Sequence, residues 1–205
     1  MTSPAIPSIK GTGIAQAVLD VQRLLAEGRI TREQLEVRLE AEDVALLDTK
    51  IQAAQWYPNA CHRRLTELLR DVEGGGREDY VIGRGAHTAE RLLEAGLYSQ
   101  VRYADETQAG SMRELTRAAR LMLTLSGALY SFGRWTLRID PAEPRALYVD
   151  VSDAQHLSEM NRLTAHGFID QLNTRLCDYP IRVESWRDGP DAVRFAVRAD
   201  ERTPL

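Results

Sequence analysis

The sequence predicts an α+β protein, with N-terminal helices followed by a four-stranded antiparallel sheet of β-β-α-β-β order and helices packed on one of its faces. Three observations predict it. Up to Tyr130 the apolar residues recur at three- and four-residue steps, the spacing of a single helix face. From Trp135 the period becomes two, with Trp135, Leu137 and Ile139 on one side and Thr136 and Arg138 on the other. The alternating stretches form two pairs around one helical stretch, and the apolar face of such a sheet must be covered by helices.

Each element follows from local chemistry. Residues 1–10, with Pro4 and Pro7 among small neighbours, are expected to be a flexible tail. Ile14, Val18, Val21 and Leu25 mark a first helix that Gly28 stops. "TREQLEVRL" opens a second, with Thr31 and Gln34 spaced for a capping box. Val44, Leu47 and Ile51 mark a third. This helical extension, residues 11–42, is expected to need a cover for its apolar stripes, which a second subunit would supply. The main domain is expected over 43–198, with a tail at 199–205.

After "QWYP", Cys61, Leu65, Leu68, Leu69 and Val72 form one helical stripe, and Pro58 suits a first turn, where its missing N–H costs nothing. "EGGGRED" reads as a loop. "GRGAHTAERLLEAGLYSQV" and "SMRELTRAARLMLTLSGALY" read as two helices, the latter with Met112, Leu115, Ala119, Met122 and Leu129 inward. Two hairpins follow, turned at "DPAEPR" and "RDGPD", around a helix from about Ala154 to Leu176 in which Gly167 allows close packing.

Composition excludes several classes. The chain has 205 residues and a net charge of -4, which gives no pull toward nucleic acid or an anionic membrane. No apolar run is long enough to span a bilayer, and the start lacks a signal peptide's pattern, so a cytoplasmic protein is expected. Its 2 cysteines, Cys61 and Cys177, lie far apart without a CxxC partner, so neither a zinc motif nor a disulfide framework is indicated.

The candidate sites are few. Cys61 beside His62 suggests an activated thiolate, but neighbours on a helix point about 100° apart, so Cys61 is expected inward, in the leucine stripe. Trp56, Tyr57, Cys61, Leu65 and Met122 are the expected cavity-lining residues. Arg138, Arg182, Trp186 and Arg194, on a polar sheet face with Arg134, Thr136, Glu184 and Arg198, are the candidate partner surface, but a solvated face with cross-strand ion pairs is the favoured reading of that face. "GRGAH" lacks the full spacing of a phosphate loop, and His87 has no partner at ligand spacing. His156 and Glu159 stand one helical turn apart without a third ligand. No metal site and no catalytic set is expected.

The order of parts carries a resemblance. "QWYP" before a leucine-striped helix, a glycine-rich loop, "GRGAHTAE" and then strand-strand-helix-strand-strand resembles the domain family expanded as paralogues in myxobacteria. That family is related to four-vinyl-reductase-type domains, H-NOX haem sensors and TRAPP transport subunits. The resemblance covers about residues 43 to 198. It implies a non-enzymatic module for signalling or assembly, a homodimer, with an apolar cavity between helices and sheet. Relatives' C-terminal cysteines are absent from "WRDGPDAVRF". The Tyr-x-Ser-x-Arg pattern of H-NOX proteins is met at "YSQVR" by Tyr98 and Arg102, with Gln100 in place of serine. The expectation is therefore a small-molecule- or protein-binding module with no cofactor beyond a bound lipid or small apolar ligand. A haem-type gas sensor and a thiol enzyme using Cys61 are the alternatives.

Overall fold

The computed structural model describes residues 6–94, 116, 119–120, 123–124, 127–139, 141–143, 145–176 and 180–199. They fall into two compact units, Met1–Val81 with Ala128–Phe132, and Ile82–Gly127 with Gly133–Leu205. Along the chain the first unit runs to Val81 and the second takes over at Ile82. The physical reason is that the first helices pack directly on the leucine-striped helix that follows them.

In the first unit β1 (Ser8–Lys10) leads directly into α1 (Gly11–Ala26). Then come α2 (Arg32–Arg38), α3 (Ala41–Leu47), β2 (Trp56–Pro58) and α4 (Asn59–Val72). The expected tail thus ends before Ser8: Ser8 and Ile9 are buried, and β1 pairs antiparallel with β2, Ile9 opposite Tyr57. On its other side Ile9 bridges Tyr130, and Ser131 N–H donates to the Ser8 carbonyl at 3.0 Å. Ile14, Val18, Val21 and Leu24 of α1 are buried, and α1 packs against α3 and α4. The apolar stripe is therefore covered within the chain, and no second subunit is needed for it. Leu65, Leu68 and Leu69 of α4 are fully buried, each side chain stabilising the unit by about 1.5–3 kcal/mol.

The Thr31 capping box forms as the spacing predicts: Thr31 N–H donates to Gln34 Oε1 at 2.8 Å, and Gln34 N–H to Thr31 Oγ1 at 3.3 Å. The third helix is shorter than expected, ending at Leu47 and leaving Ile51 outside it. "WYP" is strand, and Pro58 caps α4 rather than sitting in its first turn.

The second unit takes up α5 (Glu78–Glu94) from Ile82 onward. It also holds β3 (Arg134–Ile139), β4 (Ala146–Ser152), α6 (Glu159–Leu176), β5 (Ile181–Arg187) and β6 (Val193–Ala199). The sheet is antiparallel throughout, in the order β3-β4-β6-β5, so the second strands of the two hairpins pair in its centre. One face carries Trp135, Leu137, Val149, Val151, Val193, Phe195 and Val183; α6 packs on it against β5. The Trp135 and Phe195 rings stack there with centroids 5.9 Å apart.

Helix α5 begins at Glu78, so "GRGAH" lies inside it rather than at its start. Its Gly85 lets α5 meet α6 backbone to backbone: a β-carbon there would sit 2.0 Å from the Thr164 carbonyl oxygen. Gly167 answers from α6, where a β-carbon would lie 1.8 Å from the Ile82 oxygen. Helix α6 starts five residues after Ala154, at Glu159, because Ser158 and Asn161 cap it reciprocally, Ser158 N–H to Asn161 Oδ1 at 3.1 Å and Asn161 N–H to Ser158 Oγ at 3.2 Å.

Candidate functional site

Around α4 the expected cavity residues separate into different environments. Trp56 is only half-buried, with the Lys10 ammonium 4.0 Å from its ring centroid and bound to the Ala54 carbonyl at 2.8 Å. Tyr57 is buried, and its hydroxyl accepts from Gln52 N–H at 2.9 Å. Cys61 and Leu65 are buried in the helical core. Met122 lies outside the described residues. A groove of about 370 Å³ does exist in this unit, but Ile30, Gln34, Val37, Arg38 and Val72 line it, not these four. Strand pairing of "WYP" is what turns Trp56 outward and Tyr57 inward, because successive strand residues face opposite sides.

The Cys61 thiol meets a group that sequence reasoning missed. Asp43, fully buried on α3, is hydrogen-bonded to it. The same carboxylate accepts from both arms of Arg64, Nη2 at 2.8 Å and Nε, and from Glu40 N–H at 3.1 Å. Burial pushes the Asp43 carboxyl up, but Arg64, the thiol and the Glu40 amide together hold it below the usual range. Burial first, and the hydrogen bond to Asp43 second, push the Cys61 thiol far up. A thiol kept protonated in this way is a structural donor, and the thiolate that a thiol enzyme needs is suppressed. The spacing of Glu40 and Asp43 at the start of α3 was a visible capping signal; Arg64, 21 residues on, gave none.

The arginines of the sheet's outer face form an ionic lattice. Arg138 and Arg194 converge on Asp150 at 3.0 and 2.6 Å, and Arg194 also reaches Asp188 at 3.3 Å. Arg182 pairs with Glu184 at 2.8 Å, and Glu184 with Arg198 at 2.6 Å. Trp186 is half-buried against Ala146, Tyr148 and Ala196, with the Arg194 guanidinium 5.8 Å from its ring. Burial raises Asp150, but Arg194 and Arg138 outweigh it and hold its carboxyl below the usual range. The geometry is that of cross-strand pairs, with the charges matched on the face itself.

Beneath the other face, α6 and β5 share a polar cluster. His166 Nδ1 lies 2.9 Å from Ser185 Oγ. Arg162, itself buried, donates to the Ser185 carbonyl at 2.8 Å and to Ser185 Oγ, and pairs with Glu159. Burial lowers the His166 pKa, Asp170 opposing and Arg162 adding to the effect, so the ring is neutral near pH 7. The other histidines differ: His87 and His156 are exposed, and His62 is buried on α4. His156 precedes α6, so it does not share a helix turn with Glu159. No group of three metal-ligating side chains occurs among the described residues, and none of the described helices is long and apolar enough to cross a membrane.

The fold is α+β and H-NOX-like. An H-NOX protein from K. algicida in the Fe(II) unliganded state superposes with a TM-score of 0.63 at 11% identity, over 95% of this chain and 98% of that one. One from S. oneidensis in the Fe(II)NO ligation state gives 0.55 at 14%, over 94% and 100%. A third, from work on heme distortion in the H-NOX family, gives 0.61 at 14%, over 96% and 97%. No protein-family model and no curated protein matches the chain. The expectation of no cofactor, with at most a lipid or small apolar ligand, is overturned by these neighbours, which are described by their Fe(II) states and their heme.

Proposed function

We propose that the chain is a ligand-binding sensor domain of the H-NOX type that takes a haem, and that it binds rather than catalyses. The observation that carries the reading is the likeness of fold along nearly the whole chain to proteins described in Fe(II) and heme terms. Bound haem supplies an iron that can take up a small diatomic ligand, as the Fe(II)NO form of one neighbour illustrates.

A haem would be held here through a side-chain donor to its iron. His166 would supply it by donor chemistry: burial favours the neutral ring, and its Nδ1 lies 2.9 Å from Ser185 Oγ. Metal-ligating imidazoles are commonly oriented through their other nitrogen in this way. In the tautomer that donates from Nδ1, Nε2 keeps the lone pair a metal needs. Arg162 steadies the arrangement by donating to the same serine.

The test is reconstitution of the purified protein with ferrous haem. A Soret band distinct from that of free haem, shifted on adding nitric oxide and lost in His166→Ala, is the expected result. A wild-type protein that stays colourless after gel filtration overturns the reading.

A further inference from the structure

The turn between β5 and β6 holds the only position in the sequence where an aspartate or asparagine precedes glycine, Asp188–Gly189. The ends of this turn are fixed. Asp188 N–H donates to the Ala192 carbonyl at 2.9 Å, Arg187 Nη1 to the Pro190 carbonyl at 3.2 Å, and Ala154 N–H to the Asp191 carbonyl at 2.8 Å. Between them residues 188–191 are all exposed, as the tip of a surface turn tends to be.

The two groups that matter chemically are both open. The Gly189 N–H makes no hydrogen bond among the described residues. Gly189 stands at φ +92°, and a β-carbon there would meet nothing closer than Asp191 Oδ1 at 4.0 Å, so neither its own side chain nor a neighbour crowds that side of the backbone. The Asp188 side chain is 54% exposed. Its pair with Arg194 is longer than the one that arginine makes with Asp150, 3.3 Å against 2.6 Å, so an exposed contact of this kind restrains the carboxyl little.

An aspartyl carboxyl beside an unhindered amide can close on it. The Gly189 nitrogen attacks Asp188 Cγ: an N–Cγ bond forms, a Cγ–O bond breaks, and the amide proton leaves with the acid's hydroxyl as water. The succinimide then takes up a water at either carbonyl. Opening at the side-chain carbonyl restores aspartate, whereas opening at the main-chain carbonyl leaves isoaspartate, with the backbone routed through Cβ and the α-carboxylate free. Nothing is oxidised or reduced. Isomerisation lengthens the turn by one backbone carbon and draws the carboxylate away from Arg194.

We infer that Asp188–Gly189 is an isoaspartate-forming site of the folded protein, and that the isomerised turn is a substrate for a repair methyltransferase using S-adenosylmethionine. There the α-carboxylate takes the methyl group from the sulfonium, leaving a methyl ester and a thioether. The site is independent of the haem proposal.

The experiment ages the full chain without haem, folded in buffer and unfolded in urea. Each sample is then treated with purified isoaspartyl methyltransferase and labelled S-adenosylmethionine, and its peptides are read by electron-transfer mass spectrometry. In the folded protein, isoaspartate and methyl label are expected to rise with age in the peptide carrying Asp188. Both are expected to be lost in Asp188→Glu, whose longer side chain closes the ring far more slowly, with native circular dichroism kept. Ageing in heavy-oxygen water is expected to leave one heavy oxygen at residue 188. Isoaspartate that forms at Asp188 in urea but not in the folded chain, label undiminished in Asp188→Glu, or isoaspartate at Asp188 that accepts no methyl group overturns the inference.

Discussion

Arg64 on α4 reaches across to Asp43 on α3 and grips its carboxylate from two nitrogens, although the acid is fully buried and the guanidinium only partly so. A buried pair costs desolvation of both charges, and removing one partner strands the other. Asp43→Ala is therefore expected to destabilise the first unit by about 3–5 kcal/mol, read from urea melting. Asp43→Asn, which keeps the shape and part of the hydrogen bonding, is expected to lose less.

The same pair sets an acid limit. The folded Asp43 carboxyl is held below its unfolded value of 3.8, so the unfolded chain binds the proton first as pH falls. Its contribution is complete above the unfolded pKa and is lost as pH drops through the folded one. Urea midpoints are expected to fall steeply below pH 4 in wild type, and less steeply in Asp43→Asn.

His166 adds a milder slope of its own. Burial depresses its pKa from 6.5, so the unfolded state takes up a proton that the folded state refuses. Stability from this residue is full above about pH 6.5 and declines toward lower pH. Comparing His166→Gln with wild type between about pH 7.5 and pH 5 isolates that slope, which is expected to vanish in the variant.

Cys61 is expected to resist alkylation at neutral pH in the folded protein and to react at an ordinary thiol rate in urea, since burial and Asp43 keep it protonated. A Cys177→Ser background makes the measurement specific. Rapid labelling of native Cys61 reopens the thiol-enzyme reading.

The crossing of α5 and α6 is tested at its glycines. Gly167→Ala would place a methyl group against the Ile82 carbonyl and is expected to cost about 1–3 kcal/mol or more. Gly83→Ala, on the same helix as Gly85 but facing open space, is expected to stabilise slightly through helix propensity. Trp56→Ala is expected to cost about 1 kcal/mol, since the half-exposed ring loses mainly its contact with Lys10. Leu65→Ala, in the core, is expected to cost about 2–5 kcal/mol.

The sequence by itself determined the class of fold, the four strands and the faces of the sheet. A period of two forces alternate residues to opposite sides whatever packs on them, as Trp135, Leu137 and Ile139 show against Arg134, Thr136 and Arg138. It also determined the Thr31 cap, whose partners are three residues apart. Contacts between distant segments were decided only by tertiary structure. The pairing of β1 with β2 recruited Ser8 and Ile9 from what read as a tail and turned Trp56 outward. The burial of Asp43 waited on Arg64, and the setting of His166 on Ser185 of another element. The physical reason is that local periodicity encodes which face of an element is apolar, while the partner of a buried charge or imidazole depends on which elements the folded chain brings together.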